Sequence, residues 1–147
     1  MPTTKEQVAA CHRLYRLGAF KQFGAGDVIA RGFADVGFEE FFILYDGSLL
    51  SLTSGDRSNL ADSEKHAFFL IPSIDDIIEE VACLGAIIEQ IQKLPAPLGW
   101  RIEISSLAVG MRSVEAISLF DGMLRALGFL FGINPFESSE NRLILTP

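Results

Sequence analysis

The sequence predicts an α+β chain: a mixed sheet of about five or six strands packed by two long helices in a two-layer sandwich, plus an N-terminal helix. Two observations carry this expectation. Apolar residues recur at helical spacing over two long stretches of the C-terminal half, and shorter stretches around them alternate apolar with polar or run apolar between turn formers. At 147 residues the chain fits one domain spanning 1–147. The C-terminal half reads strand, helix, strand, helix, strand, an α/β-like order that right-handed crossovers would join.

Thr4 to Leu17 predicts the first helix, with Val8, Cys11, Leu14, Tyr15 and Leu17 on one side and Gly18 at the C-terminal cap. His12, Arg13 and Arg16 make its other side basic. Between residues 20 and 37 the glycines Gly24, Gly26, Gly32 and Gly37 frame one short strand, Val28 to Phe33. Phe38 to Thr53 can be read two ways. Phe38, Phe41, Phe42, Tyr45, Leu49 and Leu52 match a helix. Asp46-Gly47 between two aromatic-rich runs matches a type I′ hairpin, and the mid-segment glycine favours the hairpin.

Ser54 to Lys65 is polar and rich in turn formers, a surface loop. Ala67 to Ile71, ending at Pro72, suits a buried strand. Ser73 with Asp76 three residues on forms a capping box. It opens a long helix whose stripe runs Ile74, Ile77, Ile78, Val81, Leu84, Ile88, Ile91 and Leu94 until Pro95 and Pro97 stop it. Trp100, Ile102 and Ile104 alternate with Arg101, Glu103 and Ser105, a half-exposed strand over Trp100 to Leu107. Ser113 then caps a second long helix that turns Ile117, Phe120, Met123, Leu124 and Leu127 inward, sets Asp121 one turn from Arg125 and ends near Gly128. Arg142 to Thr146 closes the chain as a strand.

Charge narrows the functions. Twelve basic and 19 acidic side chains give a net charge of −7. Residues 1–31 hold five basic and two acidic groups, a net of +3, which leaves seven against 17, a net of −10, in residues 32–147. Such a surface repels nucleic acid and anionic membranes and attracts basic partners. No apolar run approaches the roughly 18 residues of a membrane-spanning helix, and the first ten residues lack the apolar core of a signal peptide. A cytoplasmic protein is expected. Cys11 and Cys83 lie too far apart for a metal-ligand or redox pair and read as idle thiols.

Few residue patterns carry chemistry. Asp75, Asp76, Glu79 and Glu80 concentrate charge at the start of a helix, where acids favour the positive end of the dipole. Spread along one outer face, they suit a basic protein partner better than a metal. His12 cannot form a dyad with the adjacent Cys11, and His66 has no nucleophile elbow near it. Gly24-Ala25-Gly26-Asp27 lacks the remainder of any phosphate-loop pattern and reads as a turn. Phe129, Phe131 and Phe136 are either core or aromatic anchors of an interface. Hydrophobic residues reach 49%, including 12 Phe, and the mean hydropathy is +0.32. That apolar surplus suggests a surface covered in a homodimer.

The expectation is a non-catalytic acidic protein-binding module, an inhibitor, immunity-type or chaperone-like adaptor, homodimeric and without metal or cofactor. It would contact its partner through Asp75, Asp76, Glu79, Glu80, Phe129, Phe131 and Phe136. The alternative is a small-molecule-binding or hydrolytic enzyme, with a pocket between sheet and helices where Asp27, Arg31, Arg57 and His66 converge.

Overall fold

A computed structural model describes residues 3–33 and 37–137, with the side chain of Phe33 outside the description. The strand expected at Arg142 to Thr146 lies outside the described residues. The chain divides into two compact units, Met1–Pro72 and Ser73–Pro147. Among the described residues there are three α-helices, one short 3-10 helix and eight strands, an α+β composition.

In the first unit, α1 (Lys5–Arg16) starts at a capping box. Gln7 N donates to Thr4 Oγ1 at 3.1 Å, and Thr4 N to Gln7 Oε1 at 2.9 Å, so two otherwise unpaired donors are satisfied at once. Val8, Cys11 and Leu14 are buried at spacings of three, as the sequence predicts; Leu17 instead turns outward. Strands β1 (Val28–Phe33), β2 (Gly37–Ile43), β3 (Ser48–Ser51), β4 (Arg57–Asn59) and β5 (Phe69–Ile71) form one sheet in the order β4-β3-β2-β1-β5, with every pairing antiparallel. Neighbouring strand residues point to opposite faces. Ile29, Phe41, Ile43, Leu49 and Phe68 therefore build a core with Phe23 and Leu60 packed against it. Phe38 and Phe69 point the other way and meet α1, where His12 lies 5.7 and 4.7 Å from their ring centres.

The β2–β3 hairpin settles the ambiguity of Phe38 to Thr53, but not with a type I′ turn. Gly47 N donates to Leu44 O and Leu44 N to Ser48 O, each at 2.9 Å. Gly47 alone takes a left-handed φ, +84°, while Asp46 does not. This is the three-residue loop with a bulge glycine, and Asp46 Oδ1 holds it by accepting from Ser48 N and Ser48 Oγ. Those two hydrogen bonds, the side-chain one first, hold the Asp46 carboxyl below its ordinary range.

In the second unit, α2 (Ile74–Cys83) begins at the expected Ser73–Asp76 capping box. It stops 11 residues short of Leu94, the expected end. Gly85 takes φ +78°, and β6 (Ala86–Lys93) follows as a strand. A register shift between Ile88 and Gln90 explains why the sequence imitates a helix there. Ile88 pairs with Ile104 and Ile91 with Ile102, so two residues three apart share one sheet face because Glu89 is bulged out. The stripe is also misread at Ile78, which is 40% exposed, whereas Ile77 is fully buried.

Strand β7 (Trp100–Ser106) buries Ile102 and Ile104 as expected. The segment expected to open the second long helix is instead β8 (Gly110–Ala116), paired with β7 along its whole length from Trp100↔Ala116 to Ser106↔Gly110. Arg101 Nε and Nη2 both donate to Glu115 Oε2, at 3.0 and 2.9 Å, across that pair. Helix α3 (Leu119–Leu130) takes Ser118 rather than Ser113 as its cap, and Ile117 is 84% exposed rather than inward. Met123, Leu124 and Leu127 are fully buried. The helix lies across β7 and β8, with α2 beside it and against β6.

The unit's sheet, β6-β7-β8, is antiparallel throughout. The single mixed sheet and its α/β-like crossovers are thus replaced, among the described residues, by two separate antiparallel sheets. The segments that the sequence reads as parts of helices, Ala86–Lys93 and Gly110–Ala116, are instead the antiparallel neighbours of β7.

Candidate functional site

Helix α2 buries Ile77 and Val81 and turns Asp75, Ile78, Glu79 and Ala82 outward. These positions follow i, i+3, i+4, i+7, so they form one exposed stripe. The four acids expected to act together divide by role. Asp76 is half-buried, and its carboxylate accepts from Ser73 N at 2.9 Å within the cap. Glu80 is half-buried as well. Asp75 and Glu79 stand in solvent one helical turn apart, with Ile78 beside them. No basic residue occupies the helix's last turn, so its negative field is not offset there. Cys83, exposed at the end of the same helix, was not expected to matter.

The aromatic residues are placed differently. Phe129 closes α3 beneath Arg112, whose guanidinium carbon is 5.3 Å from the ring centre. It lines a hollow of about 650 Å³ with Val109, Ile133 and Asn134. Phe131 is the half-buried cap residue of α3. Phe136 lies under Arg125 at 5.1 Å, and its N–H donates to Asn134 Oδ1 at 3.1 Å. The chain turns back after α3, with Ile133 N donating to Gly128 O and Pro135 buried. Phe129 and Phe136 are therefore half-buried and capped by arginines, and they do not form a bare aromatic patch.

The four residues of the catalytic alternative have separate surroundings. Asp27 accepts from Gly24 N at 2.8 Å, which makes the Gly24–Asp27 segment a turn. Arg31 is 3.8 Å from Glu39 and stacks 5.2 and 5.4 Å from the Phe41 and Phe68 ring centres. Arg57 is exposed on β4. His66 lines a hollow of the first unit whose lining includes none of the other three. Among the described residues no group of three or more His, Cys, Asp and Glu side chains could hold a metal ion. No helix there is long and apolar enough to cross a membrane.

Two titratable groups on α1 are shifted by their surroundings. Burial, and then the Glu40 carboxylate, push the Cys11 thiol up to about 12, so it is inert as a nucleophile. Burial and then Arg16 and Arg13 lower His12 from its usual 6.5. The unfolded chain binds this proton near pH 6.5 and the folded chain only at lower pH. Stability therefore falls as the pH drops below 6.5, and the loss levels off once the folded value is passed. His12→Phe should keep the ring contacts and flatten this dependence. Thermal unfolding followed between about pH 7 and about pH 5 checks it: equal slopes in both proteins would contradict the assignment.

Comparison of the chain with protein-family models, with curated proteins and with solved structures yields no match.

Proposed function

We propose that this chain is a non-catalytic protein-binding module that docks a basic partner surface on the outer face of α2. The observation that carries the reading is the stripe of Asp75, Ile78 and Glu79, an exposed apolar side chain flanked by two solvent-facing carboxylates. Charge of one sign steers a complementary partner and rejects like-charged ones, while the isoleucine supplies area to be removed from water. Residues 73–147 hold ten acidic and five basic side chains, a net of −5, which adds charge of the same sign to this unit. A second copy of the chain docked through this same stripe would bring acidic side chains against acidic ones, so we read this face as one for a different, basic protein.

The test compares immobilised wild-type chain with the Asp75→Lys/Glu79→Lys double variant in extract of the native cells. Both positions are exposed, so the variant should fold, and far-UV circular dichroism verifies that. The expected result is a protein of net positive charge retained by the wild type at about 0.05 M salt, released by roughly 0.5 M, and not retained by the variant. Equal retention by both chains, or retention indifferent to salt, would overturn the reading.

A further inference from the structure

The first unit contains a feature opposite in character to the rest of the chain. A hollow of about 420 Å³ is lined by Tyr15, Lys21, Gln22, Phe23, Lys65 and His66. Its size falls in the lower part of the roughly 300–1,000 Å³ typical of small-ligand sites. Three basic side chains and no acid line it, in a protein of net charge −7. The residues come from three places: the last turn of α1, the loop after it, and the end of the 3-10 helix Asp62–Ala67.

The loop is held by an unusual backbone. Phe20 has φ +57°, the one left-handed non-glycine conformation among the described residues, and its ring is buried. A bulky residue keeps that conformation only when its surroundings enforce it. Phe23, three residues on, is anchored against the core of Ile29, Phe41, Ile43, Leu49 and Phe68. Lys21 and Gln22, between these two aromatics in the chain, are exposed and line the hollow. Burial first, and then Arg16 and Arg13, lower the pKa of His12, so the two arginines add positive charge to this helix.

We propose that this hollow binds a small phosphate monoester, with Lys21, Lys65 and His66 taking the phosphate and Phe23 and Tyr15 flanking its organic group. Phosphate matches a cluster of several separate donors, since it offers three terminal oxygens and up to two negative charges. Lysine serves as a point charge for such groups, and an aromatic wall favours an ester over the free ion. Lys65 is now 3.1 Å from Asp62, a pair largely in solvent. Such a pair is weak and exchangeable, so the incoming phosphate competes with Asp62 for the ammonium.

The probes are phenyl phosphate, inorganic phosphate and benzyl alcohol, titrated by calorimetry and by amide chemical shifts at low salt. Phenyl phosphate should bind saturably and several-fold more tightly than inorganic phosphate, and benzyl alcohol should not bind. Lys21→Glu and Lys65→Glu should each weaken phenyl phosphate about tenfold or more, while Arg57→Glu, the same charge change elsewhere in the unit, should leave it within about twofold. Asp62→Asn should tighten it about two- to fivefold by releasing Lys65, a gain that no general loss of structure would produce. Lack of saturation up to about 20 mM, a far weaker binding than most small-ligand sites show, would overturn the proposal. So would equal weakening by Arg57→Glu and Lys21→Glu, or weaker binding in Asp62→Asn.

Discussion

Ile77→Asp is expected to unfold the unit of residues 73–147, whereas Ile78→Asp is expected to leave it folded. The two side chains are adjacent in sequence, but about 100° of helical rotation separates them. Ile77 is fully buried on the inner face of α2, while Ile78 is 40% exposed. Removing a buried isoleucine costs about 2–5 kcal/mol, and leaving an unpaired carboxylate in its place adds several more. A unit of this size has about 5–15 kcal/mol of stability at most, so Ile77→Asp exhausts it. At position 78 the new carboxylate stays in water and meets only the screened repulsion of Asp75 and Glu79, a cost of about 1 kcal/mol or less. Amide-resonance dispersion of the unit reads the outcome: collapsed for Ile77→Asp, native-like for Ile78→Asp. The reverse pattern would mean that α2 is rotated about its axis.

Gly128→Leu is the second large effect, and it runs against helix propensity. Gly128 lies inside α3, where leucine is the better helix former by nearly 1 kcal/mol. The chain nevertheless returns onto it: a Cβ there would run into the Pro135 ring and press on the Ile133 carbonyl. Neither a proline ring nor backbone can swing aside. The substitution should therefore cost up to about 3 kcal/mol, a fall of roughly 10–20 °C in the melting temperature. Gly122 gives the comparison. A Cβ there meets the end of the Ile102 side chain rather than backbone, so Gly122→Ala should cost less than Gly128→Ala. If Gly128→Leu melts at or above the wild type, residues 133–135 do not pack on α3.

Local signals made much of the secondary structure legible. Val28 to Phe33, the hairpin around Gly47, the capping box at Ser73 and the alternation of Trp100 to Ser106 follow from propensity, turn chemistry and period. The misread segments have identifiable causes. In β6 a bulge at Glu89 converts the two-residue period of a strand into a three-residue spacing, which continues the true helical stripe of α2 without a visible break. In β8 the sequence GMRSVEA is mostly exposed and lacks apolar alternation, so nothing local marks it as a strand. Its identity comes from its partner, through contacts such as Arg101 with Glu115. The antiparallel pairing of each sheet is likewise a non-local choice that hydrophobic pattern does not encode.

The candidate site is visible in the sequence as composition but not as geometry. The acids at residues 75–80 were visible, but capping chemistry withdraws Asp76, and helix rotation replaces a buried Ile78 with an exposed one. The sequence does not show that Arg112 and Arg125 stack on Phe129 and Phe136. The basic hollow was hidden because Lys21 and Lys65 are 44 positions apart and meet only through folding.

The most direct measurement of the central claim uses Cys83, which is exposed at the end of α2, while Cys11 is buried and unreactive. A photoactivatable maleimide placed on Cys83 reports what lies against that helix. With the basic partner isolated as above, the wild-type chain should yield a covalent adduct, and Ile78→Asp, folded but without its central apolar contact, should yield about tenfold less. Equal adduct from both chains, or none from the wild type under conditions where the partner binds, would place the contact surface somewhere other than α2.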